Sequence, residues 1–135
     1  MKAIKVGSPR RSRRTLQAGV VPQGGNMGCG VACVASLTGL SYSDSRLLFA
    51  GRPGDDHHRG YSRKSVILAL AKARLRYEFR RKVPNVPVGT IVYLKDATWP
   101  KGHYLVRQSR GWMDPFHERI TSRLPGIPRS YVVPA

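Results

Sequence analysis

The chain has 135 residues, 41% of them hydrophobic, and its 24 Lys and Arg against 7 Asp and Glu give a formal charge of +17. That length suits one domain with a modest core. No run of about 18 apolar residues occurs, which excludes a transmembrane helix, and the basic N-terminus has no apolar segment behind it, so no secretory signal is expected.

Residues 1–19 read as a basic arm carrying Lys2, Lys5, Arg10, Arg11, Arg13 and Arg14, with a short extended segment near Ala3 to Val6. No acidic residue precedes Asp44. Such an arm predicts weak, salt-sensitive association with nucleic acid or another polyanion. It lacks interleaved aromatics and helical periodicity, so base readout is not indicated.

Residues 20–135 read as one domain. Gly19 to Gly28 is a loop with Pro22 and two adjacent glycines. Cys29 to Leu37 predicts a buried helix with Ser36 as its one polar position and Gly39 as its C-cap. Ser43 is expected to cap a second helix running to Phe49, with Asp44 favourable in the first turn. Gly51 to Gly60 is a polar loop. Ser62 is expected to cap a third helix to about Arg74, in which Val66, Ile67, Leu70 and Ala73 share one face. The period then changes. Tyr77–Val83, Thr90–Leu94, His103–Gln108, Gly111–Met113 and Ser130–Val133 read as strands. Helices first and strands later predict an α+β domain, with N-terminal helices packed on a C-terminal antiparallel sheet.

Chemistry is suggested where the first helix begins. A cysteine at a helix N-terminus sits where unpaired N–H groups favour its thiolate. The same groups can receive an oxyanion, and Gln23, six residues upstream of Cys29, can add a side-chain donor. The missing base lies in the second half. His103 opens one predicted strand and Asp114 follows the next, and the link through Ser109 to Gly111 is short enough for an antiparallel hairpin. His103 and Asp114 then meet at one end of the sheet. A histidine oriented by a carboxylate is the partner a thiol nucleophile requires. Cys33, four residues further along the same helix, is a small core residue. It is poorly placed for a disulfide with Cys29, so both thiols are expected reduced, as in a cytosolic setting.

The order Gln, Cys, His, Asp resembles the papain-like cysteine peptidases. More closely, the chain resembles the bacteriocin-processing peptidase family, which removes peptide leaders after a double glycine. The likeness covers about residues 20–116. It rests on Gln23 and the step to Cys29, the run Cys29-Gly30-Val31-Ala32-Cys33, the Gly102-His103-Tyr104 start of a strand, and Asp114-Pro115 closing the hairpin. The family has Asp immediately before the cysteine, where this chain has Gly28. The resemblance implies a papain-like fold with Cys29 as nucleophile and His103 as general base and acid. Asp114 would orient His103, and Gln23 with the Cys29 N–H would form the oxyanion hole. Gly24-Gly25 lies inside that loop and is not read as a substrate site.

The expected activity is therefore hydrolysis of a peptide or amide bond in a peptide or protein substrate, without a cofactor. Acyl transfer to an amine uses the same logic. The competing class is a basic protein on a papain-like scaffold that accompanies nucleic acid, for example in a virion or small mobile genome. A metal site built from Asp55, Asp56, His57 or His58 with Cys29, Cys33 or His117 is not expected, because Cys-x3-Cys is a weak zinc spacing and adjacent histidines rarely bind one ion. Trp99 and Trp112 are expected near the His103 strand, where Trp112 either shields the His103–Asp114 pair or simply packs in the core.

Overall fold

The computed structural model describes residues 19–24, 28–51 and 61–135. The arm before residue 19 and the loop holding Asp55 to His58 lie outside these residues. The described residues form an α+β domain with three helices and a six-stranded antiparallel sheet.

Helix α1 spans Cys29–Thr38, and every one of its residues is buried. Ser36 and Thr38 are satisfied internally: Thr38 Oγ1 donates to the Val34 carbonyl at 2.9 Å, and Ser36 Oγ receives the Gln108 amide at 3.2 Å. Gly39 ends the helix in the left-handed conformation expected of it (φ 79°).

Helix α2 is shorter and begins earlier than the sequence suggests, at Tyr42–Arg46. Its cap is Ser41 rather than Ser43. Ser41 has extended backbone angles, and its side chain accepts from the Asp44 N–H at 3.1 Å. Ser43 therefore lies in the first turn. Beyond Arg46 the chain tightens: Leu47, Leu48 and Phe49 each donate to the carbonyl three residues back. Helix α3, Arg63–Lys72, carries the expected Ser62 cap, whose Oγ accepts from the Ser65 N–H at 3.1 Å. Its inner face is Val66, Ala69 and Leu70, continued by Ala73.

The strands are β1 (Tyr77–Arg80), β2 (Ile91–Leu94), β3 (His103–Gln108), β4 (Gly111–Asp114), β5 (Arg119–Thr121) and β6 (Pro128–Pro134). Their order in the sheet is β1-β6-β2-β3-β4-β5. β2 to β5 are a meander of neighbouring antiparallel strands, and β6 returns to lie between β1 and β2. β1 stops at Arg80, short of the expected Val83, where its ladder with β6 ends opposite Tyr131. β5 is an addition to the sequence reading. It has three residues with one apolar side chain, too short a segment to alternate visibly. β6 is longer than expected because Pro128 and Pro134 sit at its two ends, where a missing N–H is tolerated.

Alternation along the strands splits the core in two. One face of the sheet packs Ile91, Tyr104, Val106, Met113 and Val132 against α1 and α3. The other face carries Val92, Leu94, Leu105 and Trp112 beneath loop residues that include Val86, Trp99 and Leu124. Long-range polar links tie the sheet to the elements packed on it. Gln108 Nε2 donates to the Gly19 carbonyl at 2.8 Å and to Ser36 of α1, and Tyr104 Oη donates to the carbonyl of Tyr61, just before α3, at 2.7 Å.

Candidate active site

The β3–β4 hairpin turns in two residues, Ser109 and Arg110, and pairs Gln108 with Gly111, Arg107 with Trp112 and Val106 with Met113. Continuing that register sets Leu105 opposite Asp114, so His103 stands diagonally across from Asp114 on the same face. The two side chains meet: His103 Nε2 and Asp114 Oδ1 are 2.8 Å apart, with His103 3% and Asp114 0% exposed.

The Cys29 thiol lies at the first residue of α1, which packs on β3, and is close enough to His103 to act on its titration. Burial alone would favour neutral imidazole. The hydrogen bond to Asp114, the neighbouring Cys29 side chain and the Asp114 charge outweigh it and raise the His103 pKa from 6.5 to about 9. The N-terminus of α1 has no side-chain cap and no acidic residue in its first turn, so its leading N–H groups present partial positive charge beside the sulfur.

Asp114 is held from four directions. Its Oδ1 also accepts the backbone N–H groups of Phe116 (3.0 Å) and His117 (3.3 Å), and its Oδ2 is 2.7 Å from His117 Nδ1. Burial opposes the carboxylate charge. The hydrogen bonds from His103 and His117 win, and hold the Asp114 pKa well below the usual carboxylate range. The contact with His117 is absent from the sequence reading. Its signal is the Asp-x-x-His spacing, which puts the second imidazole one turn beyond the carboxylate.

Gln23 comes to the same end of the hairpin. Its backbone N–H donates to the Pro115 carbonyl at 3.4 Å, one residue past Asp114. Cys33 is carried away into the core. It is fully buried, and burial first, then the charges of Cys29 and Asp114, push its thiol pKa well up. Both cysteines are free thiols. Among the described residues, no group of three or more His, Cys, Asp or Glu side chains is arranged to hold a metal ion, and no helix is long and apolar enough to cross a membrane.

Trp99, not Trp112, covers His103, and Trp112 takes the core-packing role. Trp99 stacks on the imidazole, with ring centroids 4.0 Å apart and planes 14° from parallel. Phe116 closes edge-on against both rings. Trp112 lies on the same face of the sheet but further along it, opposite Arg107 in the loop-covered cluster, where the guanidinium lies over its ring. Trp99 is fixed by its indole N–H, which donates to the Pro125 carbonyl at 3.2 Å. This stacking makes the histidine's protonation visible. An imidazolium quenches an indole it lies against, so tryptophan emission should rise as the pH passes about 9 and His103 loses its proton. Trp99→Phe should abolish that step and Trp112→Phe should keep it. Fluorescence titration of the three proteins checks both.

The space at Gly28 is also taken. A Cβ there would collide with the Tyr42 hydroxyl, and one at Gly24 would come within 2.8 Å of the same ring. Tyr42 thus occupies the volume that an aspartate before Cys29 would need.

No protein-family model matches the chain, and no curated protein or solved structure is similar enough to indicate a relationship.

Proposed function

We propose that the protein is a papain-like thiol hydrolase that cleaves a peptide or amide bond. The observation that carries this reading is the buried His103–Asp114 hydrogen bond of 2.8 Å at the end of a hairpin, with Cys29 beside the imidazole at the N-terminus of a buried helix. In this reading the Cys29 proton passes to His103, and the sulfur attacks the substrate carbonyl carbon. The negative oxygen that forms is received by the Cys29 N–H and the Gln23 amide. His103 then gives its proton to the departing amine, leaving a thioester. Water, deprotonated by the same imidazole, releases the acid and restores the thiol. Asp114 keeps the imidazole turned toward the sulfur and balances its charge. Helices packed on an antiparallel sheet, with the thiol on the first helix and the base on the sheet, agree with a papain-like arrangement.

Competitive alkylation tests the reading. At pH 7 iodoacetamide should modify Cys29 at least ~10-fold faster than Cys33, as expected of an activated thiolate beside a buried thiol, with the sites resolved by peptide mass spectrometry. Equal rates in the folded protein would overturn it. The formal charge of +17 favours a second reading, a polyanion-associated protein on the same scaffold. That reading predicts binding that is unchanged by Cys29→Ala and is lost at modest salt.

A further inference from the structure

Next to the thiol centre lies a second feature built from four separated stretches of sequence. Arg63 at the start of α3, Arg81 after β1, Lys95 after β2 and Arg129 in β6 surround a cavity of about 290 Å³, with Tyr93 and Ser130 in its lining. None of these four cations forms an ion pair with a carboxylate among the described residues. The nearby acids are already used. Glu78 is paired with Arg80, and the Asp96 carboxylate accepts the backbone N–H groups of Thr98, Trp99 and Ile127. Ser130 is 3% exposed, and its Oγ lacks a hydrogen-bond partner among the described residues. A buried hydroxyl costs free energy unless something pairs with it. Four uncompensated cations around it define that something as an anion.

The cavity adjoins the thiol centre through Tyr93. The Tyr93 ring pairs across the sheet with Ser130 on one side and Tyr104 on the other. Its hydroxyl edge fills the space beside Gly102, where a Cβ would collide with it, immediately before His103. Gly102 has φ +89°, a conformation that suits glycine. Burial raises the Tyr93 pKa, and the cavity's Arg63 and Arg129 pull it down.

We infer that this cavity is a substrate subsite that receives an acidic side chain, Glu or Asp, close to the bond that Cys29 attacks. The inference rests on the thiol-hydrolase reading and adds its substrate class: peptides with a carboxylate near the scissile bond. Arginine offers paired N–H donors that match a carboxylate, and the Ser130 hydroxyl supplies a third. A nucleic-acid track fits less well. The aromatic faces on which bases would stack are covered, since the Arg63 guanidinium lies 4.7 Å from the Tyr93 ring centre and 5.4 Å from that of Phe79.

The test uses the full chain carrying Cys29→Ala and a fluorescein-labelled decapeptide containing two glutamates, read by fluorescence polarisation at 150 mM salt. Binding should weaken about tenfold, roughly 1.4 kcal/mol, when the two glutamates become glutamine. Arg63→Gln with Arg129→Gln should produce a similar loss, and Arg63→Lys with Arg129→Lys should restore part of it. Arg76→Gln with Arg110→Gln removes the same charge from exposed positions elsewhere and should change binding less than twofold. Equal losses from the two glutamine pairs would overturn the subsite. So would an oligothymidine of equal charge that displaces the peptide at lower concentration, since the groove would then serve nucleic acid. The alkylation comparison above separates the two ideas. A reactive Cys29 with no glutamate preference removes the subsite alone, and a glutamate preference beside an unreactive Cys29 removes the hydrolase reading alone.

Discussion

Replacing His103 with alanine is expected to slow alkylation of Cys29 at pH 7 by about 10²-fold or more, the low end of what a positioned acid–base group supplies. In the proposed mechanism its imidazole takes the proton of the sulfur, and its pKa, raised to about 9, favours the protonated ring at neutral pH. Cys33 should be unaffected, because it reacts only when the core opens. Peptide hydrolysis, once a substrate is found, should fall at least as far. The far-ultraviolet circular dichroism of the variant guards against simple unfolding. If Cys29 in the folded variant reacts as fast as before, the sulfur owes nothing to His103 and the catalytic assignment fails.

Asp114→Ala should have the second large effect, and on two readouts. It removes one partner of a buried charged pair and leaves the imidazole without compensation, a change that costs about 3–5 kcal/mol. The Phe116 and His117 N–H groups lose their acceptor as well. The pH dependence identifies the cause. His103 has its pKa raised from 6.5 to about 9, so its contribution is complete below 6.5 and fades as the pH rises through about 9. Asp114 has its pKa lowered from 3.8, so its contribution is complete above that value and fades as the pH falls below it. The gap in urea stability between wild type and variant should therefore be widest between these limits, near pH 5 to 6, and narrow on both sides. A gap of constant size across pH would mean that the aspartate acts by packing alone. Asp114→Asn keeps the shape and should retain more stability than Asp114→Ala, while still slowing Cys29 alkylation.

Much of this centre is legible in the sequence because a short turn carries geometric information. Once Ser109 and Arg110 are read as the bend, the positions of His103 and Asp114 follow from strand register. The N-terminus of α1 is legible for a similar reason: ten buried residues in a row between two glycines leave little choice of boundary. What stayed hidden depends on contacts between distant segments. Nothing local says that Trp99, on the loop before β3, will lie flat on His103 while Trp112, further along the same face of the sheet, packs against Arg107 instead. Nor can spacing reveal that Arg63, Arg81, Lys95 and Arg129 converge, since they come from one helix and three different strand ends. In a chain with 24 basic residues, each reads as ordinary surface charge. The cap of α2 was misplaced by two residues because Ser41 and Ser43 are chemically equivalent, and the backbone angles that choose between them are set by the turn out of α1.

The place of β6 has a consequence for how the molecule reaches this state. Residues 128–134 form an interior strand, flanked by β1 on one side and β2 on the other. Until they dock, β1 has no neighbour, and β2 presents an open hydrogen-bonding edge with Ile91 to Leu94 along it. The meander from β2 to β5 consists of sequence neighbours and can pair early, which would assemble His103 and Asp114 first. Joining residue 77 to residue 134 closes the longest loop in the sheet and should be late and slow. In that interval the open edge is a template for other chains. Refolding should accordingly become concentration-dependent well before native stability is compromised.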